Sequence, residues 1–193
     1  MDKRTVALSE AAGCVVIYCA AVLLHYVYPL SKGAALSIVF GAVNESVWEH
    51  TKIFAAPYIG WALLELCWLK VHFRQYVVAK VIGLYLLAGM IIGASYLLPV
   101  LTGQNIFWVD IAMSLIAVIT SQAASYRMET ADNQLSEYFL PALMLLTLYY
   151  LMFFSFTIFP PKMDLFRDPV SGGFGIVERI AKKERGYLIL SSK

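Results

Sequence analysis

Long uninterrupted apolar runs dominate the chain. Val6–Leu30, Ile53–Leu69, Tyr76–Leu101, Ile106–Ala124 and Tyr138–Phe159 each approach or exceed the roughly 20 helical residues that a bilayer core needs. They lack the apolar–polar alternation of a membrane barrel strand, and lipid leaves no partner for unpaired backbone, so they read as helices. Gly33–Lys52 is a sixth candidate, although its second half is crowded with polar groups. It cannot run straight on into Ile53–Leu69, because the 37 residues from 33 to 69 would extend about 55 Å. Pro57 lacks an amide hydrogen and crowds the carbonyl of Ile53, which predicts a break there. The pattern therefore predicts an all-α, polytopic helical membrane bundle over residues 1–159 with about six spans. Five spans plus a re-entrant Gly33–Lys52 are the alternative. A turn-rich tail follows at 160–193, in which Ile176–Arg185 can form a short basic amphipathic helix and Phe159, Leu165, Phe166 and Phe174 can pack back on the helix ends.

Composition sharpens this. Hydrophobic residues make up 60% of the chain and charged residues 15%, with a mean hydropathy of +0.70. Soluble domains are nearer 45–50% and about 25%. So much apolar surface cannot be hidden in a soluble fold of this size, which excludes a soluble enzyme, a disordered chain and a nucleic-acid binder. A net charge of +2 implies no polyanionic partner. The expected partners are the lipid bilayer and a small solute or lipid ligand. Cys14, Cys19 and Cys67 show no CxxC spacing and, being odd in number, no disulfide framework. Met1-Asp2-Lys3-Arg4 resembles the start of a signal peptide, but the following run is too long and ends on no cleavage site, so a retained first span is expected. With six spans, Lys3, Arg4, Lys162, Arg167 and the basic residues of the tail share one side. The positive-inside rule then places both termini in the cytoplasm.

Against this background the polar residues stand out. The densest group is Asn44–Lys52. On a continuous helix Glu45, Glu49 and Lys52 would share a face at i, i+4, i+7, with Ser46 and His50 on a neighbouring face and Asn44 and Trp48 on the other flank. Two readings stay open. The group is a solvated helix end with a Glu–Lys pair and a Trp interface anchor, or it is an internal site. In the second reading Glu45, Glu49 and His50 are candidate ligands for a divalent metal or members of a proton relay. Asp110, Ser114 and Ser121 form one stripe of a later helix, and Asp110 could assist or could be a first-turn acid. Glu10 and His25 lie about 22 Å apart on the first helix and cannot bind the same ion. His25 reads as a packed or interfacial histidine, and Glu65 as an acid inside a span that must be paired or protonated.

The motif Asn44-Glu45-Ser46-x-Trp48-Glu49-His50-x-Lys52, with Pro160-Pro161, Leu165-Phe166-x-Asp168-Pro169 and a late Gly173-Phe174-Gly175, resembles a family of small multi-pass bacterial membrane proteins catalogued as a domain of unknown function. The resemblance implies an inner-membrane location and no activity. Ser46-x-x-x-His50 also resembles one element of the intramembrane metal-dependent hydrolases that include ceramidases. That group completes its zinc with further histidines, and the others here are His25 and His72. Three roles follow: a membrane protein binding or carrying a small solute or lipid, or serving as an accessory subunit; an intramembrane metal-dependent enzyme acting on a lipid or isoprenoid; and a structural pin joining helix ends. No nucleophile–base–orienter set is present, which leans away from the enzyme.

Overall fold

A computed structural model describes residues 2–104, 106–132 and 134–176. Over these residues the chain is helical, with no strand and one isolated bridge between Arg167 and Phe174. The helices are α1 (Lys3–Leu30), α2 (Ala35–Phe40), α3 (Val47–Glu65), α4 (Phe73–Thr102), α5 (Phe107–Thr130) and α6 (Phe139–Ile158), with 3-10 turns at Leu135–Tyr138 and Asp164–Phe166.

The stretch 33–52 does not form a spanning helix. Lys32 and Gly33 adopt left-handed backbone conformations after α1 and turn the chain back. Only the six residues of α2 then coil before the chain runs irregularly to α3. Gly41 sits so close to α1 that an added Cβ would lie 3.1 Å from the Leu24 carbonyl oxygen, and the Ala42 amide donates to that same oxygen. The break expected at Pro57 lies instead at 41–46. Helix α3 runs through Pro57, because a proline withdraws a single amide donor while the packing on neighbouring helices holds the rest of the ladder. Among the described residues the count is thus five long helices and one short one.

Helices α1, α3, α4 and α5 close a ring in which each packs on the next, and α6 lies outside it against α4. Ile17, Ala21, Tyr58, Leu84, Leu87, Ala117 and Val118 fill the interior. Side-chain contacts set the directions. At one end Ser9 of α1 meets Glu65 of α3, and Gln75 of α4 meets the last turn of α5. At the other, His25 of α1 meets His50 of α3, and Thr157 of α6 meets Lys52 of α3. The five long helices alternate in direction, so Asp2 and Phe159 lie at opposite ends. Four of these helices are long and apolar enough to cross a membrane, α1, α4, α5 and α6 with its leading 3-10 turn. Helix α3, which carries Glu49, Lys52 and Glu65, is not among them.

Leu8, Val15 and Leu23 of α1, Ile116 and Ile119 of α5, and Leu140, Met144 and Leu151 of α6 face outward, while Glu10, Glu49, Lys52, Glu65, Lys80 and Glu129 are buried. After α6 the tail folds back as far as it is described. Phe166 is buried, and Asp168 is buried with its carboxylate accepting from the Val170 amide and the Ser171 hydroxyl. Phe174 is half-buried, whereas Phe159 stays exposed. The amphipathic helix expected at Ile176–Arg185 lies outside the described residues apart from its first.

Two glycines of α4 separate packing from propensity. A Cβ at Gly83 would collide with the Tyr58 hydroxyl and crowd the Ser121 carbonyl, whereas one at Gly93 meets nothing within 4 Å. Gly83→Ala should cost about 1–3 kcal/mol. Gly93→Ala should be neutral or stabilise by up to about 1 kcal/mol. Thermal unfolding of the two variants in detergent checks this, and equal behaviour would contradict the packing described.

Candidate functional site

The polar motif starts helix α3, and its geometry divides the motif in two. The Asn44 side chain accepts the Ser46 amide at 2.9 Å, and the Ser46 hydroxyl, as N-cap, accepts the Glu49 amide at 3.4 Å. Helical geometry therefore begins at Val47 and Glu45 lies before it, so the expected Glu45–Glu49–Lys52 stripe does not form. The Glu49 carboxylate reaches back to the Val43 amide at 3.0 Å and pairs with Lys52 at 2.7 Å. The Lys52 ammonium also donates to the Ile38 carbonyl at 3.0 Å and the Thr157 hydroxyl at 3.2 Å. Both charged side chains are about 1% exposed, as a buried pair with its remaining donors satisfied should be. This half of the motif ties α2, α3 and α6 together. Trp48 belongs to the same half. It is buried against Tyr149, Phe156 and Phe166 rather than anchored at an interface.

The other half opens to the surface, with the His25, Glu45 and His50 side chains 29%, 48% and 37% exposed. Glu45 Oε2 lies 3.5 Å from His50 Nε2 and 4.0 Å from His25 Nε2. The two imidazoles are 5.4 Å apart between centroids, tilted by 30°. One ligand atom from each of the three side chains lies within 4.8 Å of the others. His50 Nδ1 is 3.0 Å from the Ser46 carbonyl, which can only accept, so the proton belongs on Nδ1 and Nε2 keeps its lone pair toward Glu45. A backbone carbonyl fixing one imidazole nitrogen so that the other is free is the arrangement metal-binding histidines use. Asp110, exposed near the start of α5, is close enough to act on His50 electrostatically. Of the three residues anticipated as ligands, Glu45 and His50 come together, while Glu49 pairs with Lys52. His25 joins them because the chain reversal after α1 lays the end of that helix beside the start of α3.

At the opposite end is a second centre. Lys80 of α4 lies 2.6 Å from Glu10 Oε1 of α1, 2.5 Å from Glu65 Oε2 of α3 and 3.5 Å from Glu129 Oε1 of α5. Ser9 and Tyr76 hydroxyls donate to Glu65, and Ser125 to Glu129. All four charged residues are buried. Sequence reasoning singled out Glu65 as needing a partner or a proton, and noted Glu10, but not Lys80 or Glu129. Lys80 falls where the apolar run begins and reads as a loop charge. Glu129 falls beyond the apolar run, although α5 continues to Thr130.

The chain belongs to the Family of unknown function (DUF6512), whose profile matches residues 7–176. No curated protein and no solved structure matches it.

The division of the motif can be tested by substitution. Lys52→Met leaves Glu49 buried without its cation and should lower stability by about 3–5 kcal/mol. Glu45→Gln, half-exposed and outside the knot, should stay within about 0.5 kcal/mol of wild type. Scanning fluorimetry in detergent measures both. Equal losses would show that the motif acts as one structural unit.

Proposed function

We propose that this is a polytopic integral membrane protein that crosses the bilayer with α1, α3, α4, α5 and α6 and binds a divalent transition-metal ion at the His25–Glu45–His50 opening. Three observations support the membrane reading: four helices of spanning length and composition, an apolar outer surface, and charges gathered inside. Helix α3 fits as the fifth span because its charged side chains meet partners within the bundle rather than lipid.

The observation that carries the metal reading is the convergence of two imidazoles and a carboxylate from α1, the α2–α3 connection and α3. Nitrogen and carboxylate oxygen suit zinc and its neighbours. Ligand atoms around a tetrahedral ion with bonds of about 2.1 Å are roughly 3.4 Å apart. His50 and Glu45 already have that spacing, and His25 reaches it by a side-chain movement on the order of an ångström. Three protein ligands leave a position open for water, for a ligand or for Asp110. Of the roles open to the motif, the structural pin suits Glu49 and Lys52, and small-solute binding suits Glu45 and His50.

Two measurements follow. Metal-stripped protein in detergent, titrated with zinc against a competing chelator, should take up one ion per chain. His25→Ala or His50→Ala should weaken binding by more than about 100-fold, beyond what loss of a merely orienting partner costs. His72→Ala, in the exposed connection before α4, should bind as wild type. Wild-type protein that takes up no stoichiometric zinc, or histidine variants that keep it, would remove the metal reading. In a cysteine-free background, Lys3→Cys and Lys162→Cys should label from opposite sides of intact cells. Labelling from one side would remove the five-span arrangement.

A further inference from the structure

The Lys80 centre lies about 22 Å from the histidine opening, taken along α1 between Glu10 and His25, and nothing in the metal reading uses it. Its charges do not balance. Lys80 is the only basic side chain paired with Glu10, Glu65 and Glu129 among the described residues, and three carboxylates on one ammonium leave an excess of two negative charges in a closed interior. Glu65 is fully engaged, by Lys80, Ser9 and Tyr76. Glu10 and Glu129 are not, since one oxygen of each, Oε2 in both, is buried with no partner. Both reach the same Lys80 ammonium through Oε1, at 2.6 Å and 3.5 Å, so the two carboxyl groups are neighbours.

The surroundings give independent support. The Tyr58 hydroxyl, the Trp61 indole nitrogen and the Gln122 amide oxygen are buried without hydrogen-bond partners. Tyr58 is within the electrostatic reach of Lys80, Glu10 and Glu129. Trp61 and Gln122 close on Gly13, one turn along α1 from Glu10, and the Gln122 amide nitrogen donates to the Glu10 carbonyl. Orphaned polar atoms of this kind are scarce in native interiors. Of the six found among the described residues, five belong to this ion cluster or to side chains beside it. The titratable groups facing the centre are Glu10 and Cys14 on α1, Tyr58 and Glu65 on α3, Tyr76 and Lys80 on α4, and Glu129 on α5. Glu10 lies seven residues into α1, about 11 Å along the helix from Lys3, so the aqueous face at the Asp2 end is near.

We propose that the Lys80 centre is a proton-binding site in which Glu10 and Glu129 hold one exchangeable proton between them. A protonated carboxyl beside an ion cluster, reachable from one face of the membrane, is the part that a proton-coupled movement of solute or helix requires.

Infrared spectroscopy of the full chain in lipid at neutral pH tests this. Wild-type protein should show the carbonyl band of a protonated carboxylic acid, shifted in heavy water. Glu10→Gln and Glu129→Gln should each remove that band while leaving the amide bands unchanged, because one proton is shared by the pair. Absence of the band from wild type overturns the proposal whatever the variants do, and so does a band that persists undiminished in either folded variant. Replacing sodium by choline in the buffer separates the other possible occupant. A band that emerges only without sodium would assign the balancing charge to a metal cation and overturn the proton.

Discussion

One ammonium group closes the helical ring. From α4, Lys80 reaches a carboxylate on each of α1, α3 and α5, so a single side chain fixes the azimuth and height of all four helices. In the bilayer proposed for this chain, apolar packing alone would specify this poorly, because the surroundings are as apolar as the core. A Leu facing lipid and a Leu facing a neighbour differ little in free energy, but a buried carboxylate out of register with Lys80 would be left uncompensated at a cost of several kcal/mol. Such a cluster is weak evidence for stability and stronger evidence for a unique arrangement. Its excess of acid over base is more than register requires, since a single carboxylate would pair with the lysine.

The Glu49–Lys52 pair does comparable work at the other end with balanced charge. Lys52 joins α3 to the Ile38 carbonyl of α2 and to Thr157 of α6, and Glu49 holds the Val43 amide. These bonds make the irregular segment 41–46 a fixed strap. They leave Glu45 projecting toward His25 and His50, and the His50 ring takes its orientation from the Ser46 carbonyl. The closed pair thus positions the open triad, and two carboxylates four residues apart acquire different environments because the helix starts between them.

The helices were legible in the sequence because lipid-length apolar runs are an unambiguous signal. Their polar contacts were less so, for specific reasons. Treating Asn44–Lys52 as a continuous helix put Glu45 and Glu49 on one face. The Ser46-x-x-Glu49 spacing, which marks a helix start, was the signal available for placing the first turn at Val47. Pro57 invited a break that packing overrides, and the true reversal, at Lys32-Gly33, looked like an ordinary short connection. Glu129 and Lys80 were missed because each stands at the margin of an apolar run, where charges are cheap and expected. Their burial depends on α5 extending beyond its run to Thr130 and on α1, α3 and α5 converging on α4, and no local pattern encodes that.

The two centres share a mechanical frame. Helix α1 carries Glu10 and His25, helix α3 carries Glu65 and His50, and each pair is 15 residues, hence about 22 Å, apart. Antiparallel α1 and α3 therefore form two rails of equal length with a polar centre spanning them at each end. A shift of α1 along α3 that opens the Glu10–Lys80–Glu65 contact must also displace His25 from Glu45 and His50, because a helix is stiff over this length and each centre has its partners on both rails. The geometry of the Lys80 centre and that of the histidine opening are in this way joined by the backbone itself. No chain of intermediate side chains is needed to connect them.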